Sequence, residues 1–196
     1  FDSAKGLIGP PQPSHLPIPA SAAIYGTPRL IPAARLRFVD GPDLTVLAQT
    51  RQGWATLCRL LSTGRQRATK GTCQLWLDDL IGFGANGLQL LLHPPPALAA
   101  LGGAKRWLRA AQRLTRRFGT RMHLVMAPCY DGQDLARFAA LDRLAHRLGL
   151  PVLASAAPLM HHGRRRKLAD VVTAVRLGSR VDALGRAALA NGEQRL

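Results

Sequence analysis

From about residue 30 onward the apolar positions switch between two periods. Short extended runs alternate with longer stripes spaced three and four residues apart. Leu36-Arg37-Phe38-Val39 predicts a short strand, Asp40-Gly41-Pro42-Asp43 a turn, and Leu44-Thr45-Val46-Leu47-Ala48 a buried strand, together a hairpin. Thr50 is placed to cap a helix over about 52–63, with Trp54, Leu57, Leu60 and Leu61 on its inner face. Gln74-Leu75-Trp76-Leu77 reads as a short extended piece, and Asp78-Asp79 as a turn or helix start. Leu88-Gln89-Leu90-Leu91-Leu92 is a strand that stops at His93 and three prolines. A second helix is predicted over 104–118, with Trp107, Leu108, Ala111, Leu114 and Phe118 inward and Gly119 as its stop. Residues 122–127 form a strand. Asp131 or Asp134 then caps a third helix that runs to Leu148, with Leu135, Phe138, Leu141, Leu144 and Leu148 inward. Residues 151–155 are a further strand. A fourth helix over 167–177 carries Leu168, Val171, Val172 and Val175 on one face and ends at Gly178.

Strands alternating with helices predict an α/β fold with a largely parallel sheet or barrel. In such folds chemistry gathers at the carboxyl ends of the strands. Here those ends are His93, the segment Pro128-Cys129-Tyr130, and the loop over 156–162. Ahead of these elements, residues 1–28 hold six of the 14 prolines and no apolar period. Residues 1–27 therefore read as a Pro-rich N-terminal tail or linker, and 28–196 as the folded domain.

Composition narrows the classes. The chain has 196 residues, 47% of them hydrophobic, enough for one core. Lys and Arg number 27 against 11 Asp and Glu, a formal charge of +16. Residues 1–50 carry net +1, 51–120 net +9 and 121–196 net +6, so the excess sits on the folded part. Such a surface favours polyanions. The competing reading is a solvated face in an Arg-rich composition. There is no run of 18 apolar residues, so no membrane partner is expected. Cys58, Cys73 and Cys129 are too few and scattered for a disulfide framework, so a reducing, cytoplasmic setting is expected. Phe1-Asp2-Ser3-Ala4-Lys5 shows no signal-peptide pattern, and a chain opening on Phe1 is expected to be a fragment.

Several blocks resemble one family. The stretch from Pro28 to Pro42, with Leu36-Arg37-Phe38-Val39-Asp40-Gly41-Pro42 at its end, is similar to "LIxGAELRFxDGP". Residues 44–61 resemble "LVLLAxxRxGYxNLxxLI", and 65–71 resemble "RRRAxKG". Leu148-Gly149-Leu150-Pro151-Val152-Leu153-Ala154 matches "LGLPxxA", and residues 168–178 match "LQDxLTAIRLG". Asn191-Gly192-Glu193-Gln194-Arg195-Leu196 resembles "NAERHL". These motifs, in order and near family spacing over 28–196, are those of the PHP domain in the error-prone branch of the bacterial DNA polymerase III alpha subunit family.

The resemblance implies an incomplete, distorted βα barrel of PHP type. It also implies a parent function of error-prone, translesion DNA synthesis in DNA repair, with DNA and other polymerase or mutasome subunits as partners. That family's barrel holds metal ions on His and carboxylates, which acidify a bound water. Here the ligand positions are altered: Arg35 stands at the Glu of "GAE", and Ala157 and Leu159 at the Asp and first His of "GDVHMH". His161 remains at the last His, and Cys129 falls in the "ELH" stretch and could still ligate. The family's first "HxxS" and "ITD" strands have no counterpart, making the domain N-terminally incomplete. No catalytic residue is identified and no cofactor is expected, except a divalent metal if His161 and Cys129 suffice. The expected role is a catalytically silent structural or interaction module. The alternatives are a nonspecific nucleic-acid-binding protein and a reduced metal-dependent phosphoesterase. For nucleic acid, the candidates are Arg164, Arg165, Arg166 and Lys167, with Arg65, Arg67 and Lys70. The competing reading of both runs is a solvated surface.

Overall fold

Leu44, Val46 and Ala48 stand opposite Leu92, Leu90 and Leu88 across one antiparallel strand pair. Because side chains alternate faces along a strand, this register puts all six on one face. The computed structural model describes residues 30–95, 101–189 and 191–195, with 101–104 described by backbone alone. The predicted Pro-rich tail lies outside these residues, as do Pro28, Arg29 and Leu196 of the quoted motifs. Among the described residues, five strands form one sheet in sequence order: β1 (Ala33–Leu36), β2 (Leu44–Ala48), β3 (Leu88–Leu92), β4 (Met122–Met126) and β5 (Val152–Ala154). β1, β2 and β3 pair antiparallel, whereas β3, β4 and β5 pair parallel. The α/β reading holds. The sheet is mixed rather than largely parallel, and it is open. The reason is the hairpin at its start, whose seven-residue connection turns the chain straight back.

The predicted first strand is displaced. β1 ends at Leu36, and the chain then leaves the hairpin so that Phe38 bridges Leu75. The Val39 N–H donates to the Leu75 carbonyl at 2.9 Å, and the Leu77 N–H donates to the Asp40 carboxylate at 2.9 Å. The hydrogen bonds sought by residues 37–40 are thus met by the extended piece at 75–77.

The helices are α1 (Arg51–Gln66), α2 (Leu77–Phe83), α3 (Leu101–Phe118), α4 (Asp134–Leu148) and α5 (Arg166–Leu177). Thr50 caps α1 as predicted, its hydroxyl accepting from the Gly53 N–H at 3.1 Å. The inner face of α1 is Gly53, Thr56, Leu57, Leu60 and Gly64, while Trp54 is turned outward. Gly53 makes this rotation necessary. A Cβ there would sit 1.9 Å from the Gly87 carbonyl oxygen, so α1 approaches the sheet through a bare backbone.

One core joins the strands to four helices. Leu57 and Leu60 of α1, Leu77 and Leu80 of α2, Ala111 and Leu114 of α3, and Leu141, Ala145 and Leu148 of α4 belong to one buried cluster. All pack with the Leu44–Leu92–Leu124 and Val46–Leu90–Met122 rows of the sheet. The opposite sheet face is half-buried and partly polar, with Thr45, Gln89 and His123 on it. α5 adds nothing to this core. The predicted inner stripe of α5 is exposed at Leu168, Val171, Val172 and Val175, leaving Ala174 as its buried residue. Leu135 of α4, also predicted inward, is 87% exposed.

Candidate functional site

The register brings the carboxyl ends of β1, β3, β4 and β5 to one edge of the sheet. Arg35 lies near the end of β1, Cys129 follows β4, and Ala157, Leu159 and His161 lie on the chain that follows β5. Arg35, one residue before the end of β1, pairs with Asp43 at 3.0 Å, and Arg37 reaches the same carboxylate at 3.6 Å. Beyond β3, His93 Nε2 lies 2.8 Å from the Thr45 hydroxyl. Burial holds the His93 pKa below the usual imidazole value; the Arg35 charge lowers it further and Asp43 opposes. A second polar pair on the open sheet face joins Gln89 Nε2 to His123 Nδ1 at 2.8 Å.

After β4 the chain makes a tight loop. Cys129 is exposed, and Tyr130 has a left-handed backbone with φ of 56°. Both carboxylate oxygens of Asp134 are occupied, accepting from the Cys129 and Tyr130 N–H groups at 2.9 Å each. Asp131 accepts from the Gln133 N–H at 3.1 Å. Neither carboxylate caps α4 as expected: its N-cap is Gln133, with no side-chain bond. Arg137 ties the two together, pairing with Asp131 at 2.5 Å and with Asp134. The Arg137 hydrogen bond holds the Asp131 carboxyl below the usual carboxylate range. These groups staple the loop and are engaged in doing so.

After β5, Ala157 also has a left-handed backbone, with φ of 42°. Its N–H donates to the Ser155 hydroxyl at 3.1 Å. Alanine is disfavoured there, whereas Asp and Asn tolerate this region better. The position is the one at which the resemblance expects Asp, so the turn fits the family residue better than the residue present. Leu159 is exposed, and its N–H donates to the Gln194 carbonyl at 2.9 Å. The C-terminal segment thus lies against this loop, and Asn191 Nδ2 reaches the Tyr130 carbonyl at 2.9 Å.

The candidate ligand His161 shares its surroundings with cations. His161, His162, Arg164 and Arg165 line one open cavity of about 340 Å³. His162 caps the short turn at Gly163–Arg165, its Nδ1 accepting from the Arg164 N–H at 3.1 Å. Arg166 faces Asp170 at 3.8 Å, and Lys167 is exposed. Four cations thus stand where α5 begins, the end at which a helix dipole disfavours them. Among the described residues, no group of three or more His, Cys, Asp or Glu side chains could hold a metal ion.

The second basic run divides by role. Arg67 pairs with Asp79 at 2.6 Å, which depresses the Asp79 pKa. Asp79 also accepts from the Trp76 N–H at 2.9 Å, so this pair fixes the start of α2. Arg65 and Lys70 instead line a cavity of about 500 Å³ with Thr69, Gly71, Thr72 and Cys73. The sequence pattern missed a third basic surface, on α3. Its signal was the net +9 of residues 51–120, which no local run explains.

No family model matches the chain. Among curated proteins, the error-prone DNA polymerase of Rhodopseudomonas palustris (strain BisB5) is 41% identical over 170 residues, 86% of this chain and 15% of that protein. That of Ruegeria pomeroyi is 40% identical over 190 residues, 96% of this chain and 16% of the relative. That of Alkalilimnicola ehrlichii is 36% identical over 167 residues, 85% of this chain and 16% of its own length. The chain therefore spans about one sixth of the relatives it matches. Across most of its residues the chain is similar in sequence to one segment of these error-prone DNA polymerases.

Proposed function

We propose that this chain is the PHP-type part of an error-prone, translesion DNA polymerase, chemically silent by itself. It acts in cytoplasmic DNA repair synthesis as a structural or interaction module, and DNA is met through the parent assembly. The observation that carries this reading is the chemistry of the strand-end edge. A divalent cation needs converging N and O donors. At the expected ligand positions stand a guanidinium paired with Asp43, a methyl group and an isobutyl group. The two remaining candidates do not fit a metal well. His161 shares its cavity with Arg164 and Arg165, whose charges repel a cation. Cys129 sits beside a loop whose carboxylates are already engaged by backbone N–H groups and Arg137. Among the described residues, the carboxylates of Asp43, Asp131 and Asp134 are each engaged by arginine rather than free to serve as a general base.

Titration calorimetry of the purified chain with Zn²⁺ and with Mn²⁺ tests this reading. The expected result is no saturable binding below millimolar metal. Micromolar binding lost in both His161→Ala and Cys129→Ala would overturn it in favour of a reduced metallo-phosphoesterase.

A further inference from the structure

We propose that the outer face of α3 is a binding surface for the phosphate backbone of nucleic acid. Between residues 105 and 118, the exposed positions of this helix are Lys105, Arg106, Arg109, Arg113, Arg116 and Arg117, all cations. The helix contains no acidic residue. Among the described residues, one carboxylate pairs with it, that of Asp78 with Arg113. An ordinary solvated helix intersperses both signs, because neighbouring like charges repel. The helix dipole accounts for Arg116 and Arg117 in the last turn but not for the cations nearer the start. Residues 105 to 117 span about 18 Å of helix. A duplex strand presents one phosphate per ~3.4 Å of axis, so about five phosphates lie within that reach.

The shape favours nucleic acid over a membrane. The apolar face of α3, with Ala111, Leu114 and Phe118, is already buried in the core and has nothing to insert into lipid. At its end the stripe continues into an open cavity of about 380 Å³, lined by Arg117 and Arg121 with Asn86 and Thr120. Arg117 lies over the Phe118 ring at 5.5 Å from its centroid. Arg121 donates to the Ala85 carbonyl at 3.1 Å. Both guanidinium groups are held in place at the mouth.

This inference extends the family reading, which places nucleic acid nearby, but its test is independent of metal and activity. Fluorescence anisotropy of the full chain with a labelled 20-base-pair duplex, and with the matching single strand, is followed over 50–200 mM salt. The triple variant Lys105→Gln, Arg109→Gln, Arg116→Gln removes exposed side chains alone, and circular dichroism checks that the fold is retained. On the duplex, the slope of log affinity against log salt is expected to become shallower by about 2.7, some 0.9 per cation removed. The single strand is expected to lose about 2.1, some 0.7 per cation. Unchanged slopes on both would overturn the proposal. So would loss of binding confined to an Arg164→Gln, Arg165→Gln, Arg166→Gln, Lys167→Gln variant, which places the contact at α5. So would tight binding of the wild-type chain to phosphatidylserine vesicles with none to either nucleic acid. Failure of any of these leaves the family assignment standing, since that rests on sequence similarity.

Discussion

The body formed by β1–β4 with α1–α4 and the arm formed by β5 with α5 are built differently, although both follow family-like sequence. In the body, leucines at 44, 57, 60, 88, 90 and 92 have no solvent exposure. In the arm, Val172 is 61% and Val175 77% exposed, and β5 is exposed at Val152 and Ala154. The arm is held by hydrogen bonds instead: the parallel ladder with β4, the Leu189 N–H donating to the Asp170 carboxylate at 2.9 Å, and the Leu159 N–H donating to the Gln194 carbonyl. The difference teaches that an apolar stripe shows what a helix can bury, not whether anything in the same chain covers it. The block over 168–178 resembles a family motif, yet among the described residues its apolar face is left exposed.

The largest expected effect contrasts one leucine with one valine. Leu90→Ala is expected to cost about 3 kcal/mol of unfolding free energy, through lost transfer energy and a cavity in the core. Val172→Ala on α5 is expected to stay within about 0.5 kcal/mol. Urea denaturation of both variants checks the contrast, and equal costs would erase the distinction between body and arm. A smaller effect of opposite sign is expected at the edge after β5. Ala157→Gly relieves a left-handed backbone and is expected to stabilise by up to about 1 kcal/mol, less the added freedom of glycine in the unfolded chain. A rise in thermal midpoint is the readout.

The smallest effect is a pH dependence confined to the body. The His93 pKa is lowered in the folded state, mainly by burial. The unfolded chain therefore takes up this proton first, at about pH 6.5. The stability His93 contributes is present in full above that pH and is lost as pH falls below it. Replacing His93 by Gln is expected to flatten the fall in stability between pH 7 and 5, read from urea midpoints at each pH.

Much of the body was legible from sequence. The Thr50 cap, the β2, β3 and β4 strands and the glycine stop of α4 follow from local chemistry, as does that of α5 in the arm, with Gly149 and Gly178 both left-handed at φ of 65° and 61°. Trp54 was misplaced because the contact face of α1 is led by a glycine, which a count of apolar residues does not see. α2 has seven residues, too few to show a period. The open form of the sheet depends on pairings between distant segments, which no local pattern encodes. At the site, the expected ligand positions rest on the resemblance alone. That Asp131 and Asp134 staple a loop rather than cap a helix needed the fold, since either role uses the same residue beside a helix start. The α3 surface was hidden for a further reason: its cations are scattered in sequence and become one stripe only when the helix has a buried side.

The most direct test of the central proposal, that this chain is chemically silent by itself, is hydrolysis of a phosphomonoester and of a 3′-terminal DNA phosphodiester by the purified chain. The assay is run with excess Mn²⁺ or Zn²⁺. The account predicts rates indistinguishable from buffer with metal. Turnover that follows the protein through purification and disappears in His161→Ala would contradict it.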